Sequence, residues 1–315
     1  MKKRIITLII TPLLLLGCKK TPNLSSIKIL SPAGAPSLSL YSFANEENFE
    51  TNSNVSIIQA KFLTSEYDVI IMDHKRGIAQ ITENNAKFKL ARIVTKGNLY
   101  LVGINKAETD VPKDSDTVIS FGSPTAITNQ ILTNIYPEIT NLFYVNSVTD
   151  AGSVLKQGKY NNEAVDYVML AEPLLSTILN EQEDYPSKDK LTRIISLQDE
   201  WESKTGFDGY PQAGIFVSDN FIAKSNLYNE FFANFDENVN NLINNSEVVI
   251  SFLNEYGDLN KQKARFGANS KIISLTQGNN ENRLGFTLGG VNINAFNEYM
   301  GLQAFDEGVF APNYL

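Results

Sequence analysis

Short apolar runs, set between stretches of helical spacing, constrain this chain more than any other feature. Ile27–Leu30, "YDVIIM" (67–72), "LYLVGI" (99–104), "TVISFG" (117–122), "LFYVNS" (142–147), "VDYVMLAEP" (165–173) and "GYPQAGIFVS" (209–218) are too short for helices and read as strands. A continuous run such as "YDVIIM" is the kind buried on both faces of a parallel sheet. "VSIIQA" (55–60) is a further strand candidate. Between them "LSLYSFANEE", "GIAQITEN" and "TAITNQILTNIY" carry helical patterns. Strands alternating with helices imply mainly parallel sheets with right-handed crossovers.

The order strand, loop with Gly and Pro, helix, strand occurs twice, the second time from Thr117. The 315-residue chain is long for a single core even without its first segment. Two α/β lobes are therefore expected, each a mainly parallel sheet flanked by helices. Residues 27–106 are read as the first lobe, 107–211 as the second, and 212–315 as the completion of the first with C-terminal helices. The polar stretch Asn105–Asp116 with Pro112, and Gly209–Gly214 around Pro211, are the expected crossings. From Ser225 onward, Phe231, Phe232, Phe235, Val239, Leu242 and Ile243 follow a period near 3.6 and read as a core-facing helix stripe.

The N-terminus begins with Lys2, Lys3 and Arg4, continues as an apolar stretch to Leu16, and reaches Gly17 and Cys18. A basic start, a short apolar core and small residues form an export signal, too short to span a membrane comfortably. Leu15, Leu16, Gly17 and Cys18 resemble the bacterial lipobox, so residues 1–17 are read as a signal peptide, Cys18 as the lipidated residue and 18–26 as a linker. Cys18 is the chain's one cysteine, which excludes a disulfide framework. Removing 1–17 takes the formal charge from −8 to −11, because three cations and no acid are lost. Such a charge argues against nucleic acid or an anionic bilayer as a partner.

Two loops share a design, glycine followed by proline and a hydroxyl residue at a helix start: Gly34, Ala35, Pro36 and Ser37 in one, Gly122, Ser123, Pro124 and Thr125 in the other. Proline at the first helical position and a capping hydroxyl explain either loop structurally. Recurrence at corresponding positions favours a ligand instead. Ligands of open α/β sheets sit beyond the carboxyl ends of strands, where helix starts offer N–H groups to anionic or strongly polar groups.

His74, the lone histidine, shares a loop with Asp73, Lys75 and Arg76. It has no partners at metal spacing and no identifiable nucleophile. Asp73 and His74 read either as cleft contacts or as a solvated turn. Glu172 ends the apolar run "YVML", where burial is costly without a partner; it either caps the next helix or touches a ligand or the other lobe. No phosphate-cradling glycine loop is present.

"SPAGAPSLSL", "YDVIIM", "GNLYLVG", "SFGSPTAITNQIL", "VDYVMLAEP" and "GYPQAGIFV" come in the order seen in solute-binding lipoproteins of ABC importers, and the chain resembles the nitrate, sulfonate, taurine and thiamine-precursor type. The resemblance implies a two-lobed periplasmic-binding-protein fold of the second type, without catalysis or cofactor. It implies a monomer, lipid-anchored at the extracytoplasmic face, that delivers a sulfonate, carboxylate or heterocycle to a permease driven by a separate ATPase. It places ligand contacts at Gly34, Ala35, Pro36, Ser37, Asp73 and His74 in the first lobe and at Ser123, Pro124 and Thr125 in the second, with Glu172 and Tyr210 near the cleft floor. The charged "DHKRG" and the closing "FDEGVFAPNYL" depart from that pattern. Two rivals remain: an enzyme of the same fold from thiamine-pyrimidine or menaquinone formation, kept open by His74, and a receptor or scaffold lipoprotein whose cleft is filled.

Overall fold

The computed structural model describes residues 23–52, 54–278, 281–289, 291–312 and 314; the signal peptide and Cys18 lie outside the described residues. Twelve strands follow in chain order: β1 (Ile29–Pro32), β2 (Phe49–Asn52), β3 (Val69–Asp73), β4 (Phe88–Ile93), β5 (Leu99–Ile104), β6 (Val118–Phe121), β7 (Leu142–Val145), β8 (Lys159–Tyr160), β9 (Glu163–Ala164), β10 (Tyr167–Ala171), β11 (Leu191–Ser196) and β12 (Ala213–Ser218). They form two five-stranded sheets, ordered β2-β1-β3-β12-β4 and β11-β5-β10-β6-β7, with β8 and β9 as a small hairpin.

Read from the other side, the second sheet repeats the first. The central strand β3 corresponds to β10, β1 to β6, and β2 to β7. In each sheet four strands share a direction and one opposes them: β12 pairs antiparallel with β3 and β4, β5 with β10 and β11. The remaining pairs are parallel. Both reversed strands come directly after a crossing from the other sheet. They enter at the edge where the other strands end, so they must run back.

The continuous apolar runs are the central strands. Val69–Met72 of β3 and all six residues of β5 and of β12 are buried. Helices cover both faces of each sheet. On one face of the first sheet, Phe231, Phe232, Phe235, Val239 and Leu242 of the helix Ser225–Asn244 join Leu38, Tyr41, Phe43 and Val69, so the aromatic stripe faces the core as its period requires. Among the described residues no helix is long and apolar enough to cross a membrane.

Three expectations need correction. "VSIIQA" lies in the helix Val55–Thr64, not a strand: the Asn54 side chain accepts the Ser56 N–H (2.9 Å), and Ile58 and Phe62, four apart, pack together in the core under β1 and β3. The run after Pro36 breaks into Ala35–Leu38 and a 3-10 turn, Tyr41–Phe43. Ser39 Oγ donates to the Pro36 carbonyl (2.6 Å) at the break, while the expected apolar residues all point inward.

Asn105–Asp116 is not the crossing. It joins β5 to β6 within the second sheet, fastened by Lys106 to Asp116 (2.8 Å) and Asp166 (2.7 Å). The chain crosses instead at 94–98, so Leu99–Ile104 belongs to the second sheet. It returns at 206–212, close to the expected Gly209–Gly214. A third passage, 284–287, lies beside the first: Lys96 N–H donates to Gly285 O (2.8 Å) and Thr287 N–H to Val94 O (3.2 Å), while Tyr210 and Gln212 N–H groups donate to Lys96 O (2.9 Å) and Thr95 O (3.0 Å). The following helix, Ile293–Tyr299, sets Phe296 into the second lobe's core against Trp201. The chain then returns, and Ala311 N–H bonds Leu90 O of β4 (2.8 Å). The segment 212–315 therefore serves both lobes.

Candidate functional site

The mirrored strand orders put the two glycine-proline loops at equivalent places, one after β1 and one after β6, each at a carboxyl strand end. Both start helices without a side-chain cap: Ala35–Leu38 has Gly34 at its N-cap and Ile127–Ile135 has Ala126. The first loop is packed by the protein itself. Ser37 Oγ donates to Gly34 O (2.7 Å) and Arg265 O (3.3 Å), and a Cβ on Gly267 would stand 2.7 Å from Gly34 Cα. Ala35 and Ser37 are buried, while Gly34 and Pro36 stay half-exposed.

The second loop is open. Ser123, Pro124 and Thr125 are exposed, and the Ser123 and Thr125 hydroxyls lie 2.9 Å apart. Ser123 Oγ also accepts the Thr125 N–H (3.2 Å). Beneath them, buried Asn129 donates to Phe121 O (3.1 Å) and Ser123 O (2.7 Å) and its Oδ1 accepts from Ser120 Oγ. One amide thus sets the shape of the loop. Asn129 interrupts the apolar face formed by Ile127, Ile131 and Leu132, and that interruption was a readable sign.

Asp73 ends β3 and Glu172 directly follows the equivalent strand β10, and each holds the start of the following helix. Asp73 Oδ1 accepts the Arg76 N–H (2.9 Å). Glu172, 2% exposed, accepts from Ser176 N–H (2.9 Å) and Ser176 Oγ (2.8 Å) and pairs with Arg283 Nη2 at 2.5 Å. Burial pushes the Glu172 carboxyl above its ordinary value; Arg283 and the two Ser176 bonds oppose that without cancelling it. The capping alternative and the lobe-to-lobe contact are both present in this one side chain. Arg283, which no sequence pattern singles out, stands immediately before the third passage.

His74 is 1% exposed. Its Nδ1 lies 3.2 Å from Gln212 O, and its ring meets Phe296 edge-on at 6.5 Å. Burial lowers its pKa below 6.5 against the opposing pull of Asp73, so it is neutral at pH 7. The ring is enclosed by the protein in this arrangement. Tyr210, fully buried, stands edge-on to Trp201 at 6.0 Å: it supports the return crossing from within rather than lining open space. Among the described residues no group of three or more His, Cys, Asp or Glu is placed to hold a metal.

No family model matches the chain, and no curated protein matches its sequence. Solved structures do match in fold. An ABC transporter from Parabacteroides distasonis superposes with a TM-score of 0.64 at 18% identity, covering 91% of this chain and 99% of that one. The ligand binding component of an ABC-type import system from Staphylococcus aureus gives 0.62 at 9% identity, with 91% and 96% covered. The periplasmic aliphatic sulphonate binding protein of Escherichia coli gives 0.58 at 13%, with 87% and 84% covered. At these identities the superpositions show a shared fold: the chain has the two-lobed periplasmic-binding-protein architecture, as do the ligand binding component of an ABC-type import system and the periplasmic sulphonate binding protein.

Proposed function

We propose that this protein captures a small polar or anionic organic solute between its two lobes and hands it to the permease of an ABC importer, held to the membrane by lipid on Cys18 at the extracytoplasmic face. The observation that carries the reading is the equivalence of the loops after β1 and β6, each opening a helix that lacks a side-chain cap. The start of the nine-residue helix Ile127–Ile135 favours anionic or strongly polar groups by about 0.3 to 1 kcal/mol when exposed, while the single turn Ala35–Leu38 offers backbone N–H groups alone. Gly34 and Pro36 would meet the solute from one side, and Ser123, Pro124 and Thr125 from the other. Solute bound between the lobes favours the closed arrangement through its differential affinity, and closure is what a permease reads.

One observation favours a second reading, a scaffold that kept the fold without the pocket: Ser37 and Glu172 are already bonded within the protein, and His74 and Tyr210 are enclosed. A thermal-shift screen of sulfonates, aromatic carboxylates, pyrimidines and flavins separates the two. A true solute at a hundredfold excess over its Kd stabilises by about 2.7 kcal/mol, and substituting Ser123 and Thr125 by alanine should abolish most of that shift. If no compound moves the melting temperature, the capture reading fails and the scaffold reading stands.

A further inference from the structure

The first crossing turns at Gly97, whose φ is +122°. The residues on either side of it are tied to different parts of the chain. Lys96 N–H donates to Gly285 O (2.8 Å). Asn98 is bonded twice to Glu172, accepting its N–H (2.9 Å) and donating from Nδ2 to its carbonyl (3.0 Å). Gly285 and Glu172 are in turn joined through Arg283, two residues before Gly285, whose guanidinium reaches the Glu172 carboxylate at 2.5 Å. The contacts close a ring around this turn.

We propose that Arg283 and Glu172 form an inter-lobe latch that holds the two sheets at one angle in the unliganded protein and limits how far they swing. A bend at Gly97 that separates Lys96 from Asn98 would pull on the ring of contacts that the two charges close. Glu172 has a fully enclosed side chain, whereas that of Arg283 is 27% exposed. Pulling them apart takes the counter-ion from the carboxylate and leaves it only its two Ser176 bonds, which is costly for a buried charge. A hydrophobic pair could pack there as well but would slide; the ion pair and its hydrogen bonds tolerate one geometry.

Two further contacts hold Arg283 in place. Its guanidinium carbon lies 5.3 Å from the centroid of the Tyr100 ring, and the Tyr100 hydroxyl donates to its carbonyl (3.4 Å). Arg283 also borders a cavity of about 410 Å³ with Ser196, Gln198, Asp199 and Glu281. This cavity sits beside the edge strand β11, three strand positions from the Ser123 loop on β6. Glu172 follows β10, the strand beside β6, so the carboxylate end of the latch lies at the same sheet edge as the Ser123 loop while Arg283 faces the cavity.

The inference rests on the capture reading only for what the motion serves, and its test needs no solute, so either can fail alone. Spin labels at Ser56→Cys and Thr149→Cys, exposed positions on the two lobes, with Cys18→Ser, report the inter-lobe distance by pulsed electron resonance. Arg283→Met, which keeps an apolar stem over Tyr100, should broaden the distance distribution, and Arg283→Lys should restore part of the wild-type width. If Arg283→Met does not fold, Arg283→Met with Glu172→Gln removes the stranded charge and should broaden the distribution equally. A folded variant of either kind whose distribution matches the wild type in mean and width overturns the latch.

Discussion

Gly209 and Lys96 approach so closely that a Cβ at position 209 would stand 2.1 Å from the Lys96 carbonyl oxygen. The contact is between two crossings, and Gly209 has φ +78°, a conformation that side-chain-bearing residues rarely adopt. Neither crossing can move away without losing the bond from Tyr210 N–H to that same oxygen. Gly209→Ala is expected to cost about 2 kcal/mol or more, from strain and displacement together. Gly206→Ala is the control: φ is +75° there but nothing lies within 4 Å, so only the backbone term of about 1 kcal/mol remains. Urea midpoints of the two variants should differ in that order, and equal midpoints would refute the close packing of the crossings.

Asn129 offers a local test of the open loop. Asn129→Leu leaves Phe121 O without one donor and Ser123 O without its side-chain donor, a loss of about 1 to 3 kcal/mol when such groups are buried. Amide exchange at Thr125 should quicken in the same variant, because the Ser123 backbone that carries its hydroxyl acceptor is no longer held by Asn129. Unchanged exchange there would mean that the loop keeps its shape without Asn129.

His74 and Glu172 impose opposite pH dependences. The lowered pKa of His74 means that the unfolded chain binds more protons between that value and 6.5. Its share of stability is present above pH 6.5 and is lost as pH falls through the folded pKa. The raised pKa of Glu172 means that the folded chain holds the extra proton just above 4.5, so stability falls as pH rises through that window. Denaturant midpoints measured from pH 4 to 8 should lose the first slope in His74→Gln and the second in Glu172→Gln. A variant that retains the slope assigned to it contradicts the burial described for that group.

Phe296 joins the lobes away from the sheets, lying 5.7 Å from the Trp201 ring and 6.5 Å from His74. Phe296→Ala should cost about 3 to 5 kcal/mol as a core truncation. It should also red-shift the fluorescence of Trp201, the chain's one tryptophan, as water enters. A large loss of stability without a spectral change would place the packing defect elsewhere.

The central strands were legible because burial on both faces leaves an uninterrupted apolar run, as in Val69–Met72 and Leu99–Ile104. The two loops were legible because glycine and proline mark sharp turns wherever they occur. Val55–Thr64 was misread because its branched residues favour strands locally, and only the Asn54 cap and the spacing of Ile58 and Phe62 point to a helix. The first crossing was missed because it is short: Val94–Asn98 is five residues and looks like an ordinary tight turn between two strands, whereas the longer Asn105–Asp116 resembles a linker. Glu172 could be read as buried and needing a partner. Arg283 could not be found, because that partner lies more than a hundred residues away and nothing in its own neighbourhood marks it.

The placing of β12 imposes an order of assembly on the chain. The second sheet is one unbroken stretch from β5 to β11, so every strand it needs has emerged from the ribosome together. The first sheet cannot close until β12 is made, because β4 touches no other strand of its sheet and β3 has one side open until then. The inserted half can therefore pair its strands first, while the N-terminal strands wait with unpaired edges and the second core waits for Phe296.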